Sequence, residues 1–179
     1  VRPDRPPAEV PMYTLAAAVA VARAVRAVGV EATIKWPNDV LVGSDDGEQK
    51  LCGILTEMEG EADRVSWLVI GIGVNANVDR DALPPDATSL RAAVGDVDRR
   101  QLLQRVLAEI HDLTREPDLR SVLDAWREYA STLGRRVRVE TSHGAVTGQA
   151  VDIRFPGSLV VDTDDGERVV HAGDCEHLR

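Results

Sequence analysis

The chain has 179 residues, 44% of them hydrophobic and 28% charged, and carries a formal charge of −9 at pH 7. That length allows one substantial core with room for a small second module, since domains commonly hold about 100 to 150 residues. The acidic balance argues against phosphate-backbone binding, which needs a basic face, and the longest apolar run, Trp67 to Val74, is too short for a bilayer. A soluble protein with neither nucleic acid nor membrane as partner is expected.

The opening residues Val1-Arg2-Pro3-Asp4-Arg5-Pro6-Pro7 show neither an initiator methionine nor a secretion signal, so the chain is expected to begin within a longer gene product. Cys52 and Cys175 are too few for a disulfide framework, and reduced thiols in a cytoplasm are the expectation. Only Lys35 and Lys50 among the 21 basic residues are lysine. Acid excess with so little lysine resembles a salt-adapted composition, although an arginine-favouring genome would give the second feature alone.

From Pro11 to Val28, Leu15, Val19, Val21, Val25 and Val28 sit on an alanine-rich background, with Arg23 and Arg26 near the end and Gly29 as a stop. This predicts a well-buried helix. Residues 30 to 36 then alternate, with Val30, Ala32, Ile34 and Trp36 on one face and Glu31, Thr33 and Lys35 on the other, the pattern of a strand with one wet face. Pro37 breaks that strand, Asn38-Asp39 supplies a turn, and Val40-Leu41-Val42 resumes an extended run. A hairpin at Ser44-Asp45-Asp46-Gly47, a strand from Lys50 to Met58, a second hairpin near Gly60 and an apolar strand from Trp67 to Val74 complete one sheet.

Asp98 with Gln101 resembles a capping box before Leu102, Leu103, Val106, Leu107, Ile110 and Leu113, and a further helix is expected to carry Leu119, Val122, Leu123, Trp126 and Leu133, ending at Gly134. Beyond it the period becomes two, with turns at Ser142-His143-Gly144, Pro156-Gly157 and Asp164-Asp165-Gly166, which predicts a small β-barrel.

The two lysines stand in short motifs, and a compact ammonium is a different tool from arginine's planar fork. Lys50 opens a strand with Gly53 three positions on, a place where a ligand can approach the backbone and an anionic head group can be held. Gly71-Ile72-Gly73-Val74-Asn75 offers a flat strip and an amide that both donates and accepts, suited to a heterocycle or ribose. Asp39, just after a proline-forced turn, can reach a hydrated Mg²⁺ accompanying phosphate oxygens. Together these groups are what joining a carboxylic acid to a nucleoside triphosphate requires, since two anions must meet. Each has a plainer reading: Lys35 as a solvated strand residue, Asn38-Asp39 as an ordinary turn, Gly71 and Gly73 as packing glycines, and the tryptophans as core. His171, Cys175 and His177 are weak as a metal set, lacking a fourth partner.

In order along the chain, Lys35-Trp36-Pro37-Asn38-Asp39, Lys50-Leu51-Cys52-Gly53-Ile54-Leu55-Thr56-Glu57, Gly71-Ile72-Gly73-Val74-Asn75 and Ala87-Thr88-Ser89-Leu90 resemble the biotin protein ligase family. The resemblance implies an α+β fold. Residues 1–133 would be a class II synthetase-like catalytic domain, a mixed sheet with packed helices and an incomplete N-terminal part; residues 134–179 would be a small SH3-like β-barrel. It implies activation of biotin by ATP and Mg²⁺ to biotinyl-AMP and transfer to a lysine of a carboxylase carrier domain, in the cytoplasm, with a homodimer as the assembly. By the same likeness Lys50 and Asp39 are catalytic, Asp39 is the metal residue, and Lys50, Gly53 and Gly71 hold biotin. Lys35, Trp36, Asn38, Gly73, Asn75 and Arg179 would serve the nucleotide. The family's arginine- and glycine-rich adenylate loop has no match here, so weak or absent ligation by this chain alone is expected. Lipoate attachment and a non-catalytic biotin or nucleotide binder remain as alternatives.

Overall fold

A computed structural model describes residues 1–44, 47–115 and 120–178. Helix α1, Pro11–Arg26, has twelve buried residues from Met12 to Val25, because its alanine and valine background leaves no polar face except at the ends. It stops where Gly29 takes φ 87°, a left-handed conformation that costs glycine little. The stretch Pro7–Arg26 is long and apolar enough by composition to cross a membrane, so Trp67 to Val74 is not the segment that sets the apolar reach of this chain. Here 72% of its apolar window is buried inside the protein, as in a core helix.

Strands β1 (Ala32–Lys35), β2 (Asp39–Ser44), β3 (Gly47–Gly60) and β4 (Val65–Val74) form a meander in that order. Their ladders are all antiparallel. Among the described residues the expected mixed sheet is met only by two isolated parallel bridges, Ile34 with Ala130 and Lys50 with Ala87. Helix α1 covers one face, where Ala32, Ile34, Val40, Cys52 and Ile54 are buried. On the other face of β4, Val69 is 55% exposed and Gly71 and Gly73 lie bare, so this strand is apolar inside and open outside rather than buried twice.

Ser89 caps helix α2, Leu90–Val94, by accepting from the Ala92 amide. Helix α3, Arg99–Arg115, starts on Asp98, whose Oδ1 accepts from the Arg100 and Gln101 amides as a capping residue should. Leu102, Val106 and Leu113 are buried, whereas Leu103 and Leu107 are more than half exposed, because the sheet they would pack on ends at its edge strand β4. Helix α4, Arg120–Tyr129, buries Val122, Leu123 and Trp126. It ends before Leu133, and Leu119 lies outside the described residues.

The expected small barrel is a five-stranded antiparallel sheet of β5 (Arg136–Thr141), β6 (Gly144–Arg154), β7 (Ser158–Thr163), β8 (Gly166–Val170) and β9 (Asp174–His177), in the order β8-β7-β6-β5-β9. No ladder joins β8 to β9 among the described residues. Val137, Val139, Ala150, Ile153, Leu159 and Val161 are fully buried within it. It meets the first sheet at Trp36, which is 1% exposed and donates its indole N–H to the Gly157 carbonyl at 2.9 Å. The Trp36 amide donates to Thr132 Oγ1 at the same distance.

Candidate functional site

The side chains of β3 should alternate, which would put Lys50 and Gly53 on opposite faces. A bulge prevents this: Leu41 pairs with Lys50 while Val40 pairs with Cys52, so Leu51 is the extra residue and both Leu51 and Cys52 turn into the core. Lys50 and Gly53 thereby share the uncovered face. Asp39 joins them because it pairs with Gly53, and Lys35 because it pairs with Asp39.

Lys50 Nζ lies 2.7 Å from Asp39 Oδ1, with the two side chains 44% and 20% exposed. Asp39 Oδ1 is itself buried and has no partner with hydrogen-bond geometry, so the pair is a close ionic contact with an acceptor still unmet. A Cβ on Gly53 would stand 3.2 Å from Lys50 Cε and 3.3 Å from Nζ; the bare glycine gives the ammonium its place. Gly73 pairs with Gly53 and Gly71 with Leu55, so three glycines leave an open floor along β3 and β4 beside the exposed Leu55 side chain.

The Lys50 backbone is clamped from the segment before α2: its amide donates to the Asp86 carbonyl and its carbonyl accepts from Thr88, each at 2.8 Å. Asn75 supports that segment, its side-chain amide donating to the Thr88 carbonyl at 3.0 Å. Asn38 is similarly engaged, donating from Nδ2 to the Ile54 carbonyl at 2.7 Å. Trp36 stands inside the protein, behind the site rather than on its surface. Arg179 lies outside the described residues.

Between the uncovered face and the C-terminal sheet runs a polar cleft of about 480 Å³, lined among others by Lys35, Asp39, Lys50, Glu48, Arg135 and His177. Sequence reasoning missed Glu48 and Arg135, whose ion pair at 2.9 Å lies in the cleft wall, and no spacing rule links residues so far apart. His177 bonds through Nε2 to Thr132 Oγ1 at 3.0 Å. Burial, then Arg135 and Lys35, push its imidazole down to about 4. Burial and Asp39 push the Cys52 thiol up to about 12. His171 bonds to Ser158 instead, and no group of three metal-ligating side chains occurs among the described residues.

An ammonium over a glycine floor, a carboxylate beside it and a polar cleft behind suit a ligand carrying a carboxylate and phosphates. Residues 1–75 match the Biotin/lipoate A/B protein ligase family, and residues 132–178 match the Biotin protein ligase C terminal domain. The chain belongs to the biotin protein ligase family. Among curated biotin protein ligase relatives, the Bifunctional ligase/repressor BirA of Bacillus spizizenii is 36% identical over 185 residues, covering 98% of this chain and 56% of that protein. The Biotin--[acetyl-CoA-carboxylase] ligase of Mycobacterium tuberculosis is 37% identical over 154 residues, covering 83% and 54%. The chain thus spans about half the length of the curated relatives it matches. Among solved structures, biotin protein ligase from Aquifex aeolicus superposes with a TM-score of 0.79 at 23% identity, covering 95% of this chain and 76% of that one. The same enzyme in complex with biotin and ATP gives 0.74 at 22%, covering 94% and 72%. At this identity the likeness shows the biotin protein ligase fold.

Proposed function

We propose that this chain forms the Lys50 half of a biotin-activating site, in which biotin's carboxylate oxygen attacks the α-phosphorus of ATP and pyrophosphate leaves. A lysine amine of a carboxylase carrier domain then attacks the acyl carbon of biotinyl-AMP, and AMP leaves with the bonding electron pair. The observation that carries the reading is the Lys50 ammonium held over Gly53 beside Asp39. Carboxylate and α-phosphate repel each other, and a fixed cation in a partly dry cleft lowers the cost of their meeting.

In this reading Gly53 and Gly71 give biotin its floor, and Gly73 keeps the strip flat toward the nucleotide. Lys35 adds a second cation at the cleft, and Arg179 is the expected further contact to ATP. Asn38 and Asn75 act through the backbone they hold, and Trp36 through the turn that presents Asp39. A Mg²⁺ travelling with the triphosphate would neutralise phosphate charge. The Asp39 carboxylate, whose Oδ1 is shared with the Lys50 ammonium, would be the protein group to meet such an ion, which commonly takes one or two carboxylates beside substrate phosphates. The buried thiols Cys52 and Cys175 suit a reducing cytoplasm. The acidic charge favours a protein partner over nucleic acid for this segment, although several of the relatives bear the description ligase/repressor. A homodimer remains the assembly that the resemblance implies, to be read by sedimentation.

The test is to incubate the chain with biotin, Mg-ATP and a carrier domain and to weigh the carrier by mass spectrometry. A gain of one biotinyl group supports the proposal; a lipoyl gain when lipoate and its carrier domain replace biotin and the biotin carrier, with no biotinyl gain, points to the related attachment reaction. Binding of biotin and ATP without transfer points to a non-catalytic binder.

A further inference from the structure

The Lys50 side chain is long, and Gly53 beneath it has no Cβ to restrict it, so whatever fixes the start of β3 sets where its ammonium stands. Glu48 precedes Lys50 by two residues, hence on the same face, and its carboxylate is held from two directions. Oε1 accepts from Thr33 Oγ1 in β1 at 3.2 Å. Oε2 lies 2.9 Å from Arg135 Nη1, just before β5, and the same Nη1 donates to His177 Nδ1 in β9 at 3.4 Å. His177 in turn bonds to Thr132 Oγ1, which accepts the Trp36 amide next to Lys35. One chain of contacts therefore runs from the residues flanking Lys50, through the C-terminal sheet, to the residue after Lys35.

We infer that Glu48 is a positioning residue for Lys50, gripped by Arg135, which His177 braces from behind, so that the C-terminal sheet sets the geometry of the cleft through this carboxylate. The inference deepens the proposed function, since it rests on Lys50 being the working cation. Arg135 has a half-exposed side chain, and such a pair alone is worth little in water. Its effect comes from being one of two holds on the same carboxylate and from its own bond to the neutral His177.

The presence of only two lysines makes this testable on the full chain without any ligand: lysine-selective ¹⁵N labelling gives two side-chain Nζ resonances, assigned by Lys35→Arg. Arg135→Gln is expected to shift the Lys50 resonance by several linewidths, and that shift is expected to vanish when Glu48→Gln is already present. Arg138→Gln, which removes only an exposed pair with Glu140, is expected to move neither signal. Should Glu48→Gln fail to fold by circular dichroism, Glu48→Asp takes its place in the same cycle. An unmoved Lys50 resonance in Arg135→Gln overturns the inference, and so does a shift of equal size in both backgrounds, which would mean that Arg135 acts on Lys50 directly. Because these spectra are read on the ligand-free protein, a failed transfer assay does not change what they show about Glu48 and Lys50.

Discussion

Lys50 and Asp39 face each other at 2.7 Å across the β2–β3 ladder, above Gly53, where a Cβ would crowd the end of the Lys50 side chain at 3.2–3.3 Å. Gly53→Ala is therefore expected to leave the fold intact, because the atoms it crowds are the flexible end of Lys50. Its ammonium would move off the floor. Calorimetry with biotinyl-AMP should show weaker binding with an almost unchanged melting temperature. A variant that melts early but binds normally would mean that the glycine serves packing.

Trp36→Phe tests the joint between the sheets. The substitution removes the donor to the Gly157 carbonyl, and leaving that buried acceptor unmet costs about 1–3 kcal/mol. At this chain length each kcal/mol lowers the melting temperature by about 2–4 °C. Gly157 cannot readily adjust to compensate, since it holds φ 120° and packs on Leu15. Differential scanning calorimetry checks the loss, and an unchanged transition would count against the joint.

His177 gives the stability a pH dependence of definite sign. In the folded chain burial, Arg135 and Lys35 hold its imidazole down to about 4, against only the nearby Glu48 acting the other way. The unfolded chain binds the proton from near the ordinary value of about 6.5. Between these values the unfolded state carries more protons, so stability should fall as pH drops from about 6.5 to about 4 and be flat above. His177→Gln should flatten that slope in urea titrations at stepped pH. A parallel slope in the variant would assign the effect to other groups.

Cys52 and Cys175 are each 1% exposed, and burial pushes their thiols up to about 12 and about 11. Since the thiolate is the reactive form, a colorimetric disulfide reagent should find no reactive thiol in the native chain and two in urea. Fast native reaction at either cysteine would show that its wall opens readily.

Much of the fold is legible in the sequence for local reasons. The alternation of Val30, Ala32, Ile34 and Trp36 defines a one-sided strand, and the alanine-valine run of α1 can be stable only in a core. Four short motifs point to one face of one sheet, and the structure brings Lys35, Asp39, Lys50, Gly53, Gly71 and Gly73 there. The bulge at Val40/Leu41 is not legible, although it alone puts Lys50 on Gly53's side, because pairing register belongs to two strands at once. Leu103 and Leu107 carry the same helical signal as Leu102 and Val106 but lie beyond the sheet's edge, which periodicity cannot locate. The grip of Arg135 on Glu48, with His177 bonded to Arg135 behind it, joins segments far apart in sequence, and only the docking of the two sheets reveals it.

The role given to Lys50 meets its most direct test in isothermal titration of the chain with biotinyl-AMP, with and without Lys50→Ala. Hydrogen bonds to charged groups contribute about 1.5–3 kcal/mol, so the variant should bind about 10- to 150-fold more weakly while its melting curve stays in place. Equal affinity in the two proteins would contradict that role.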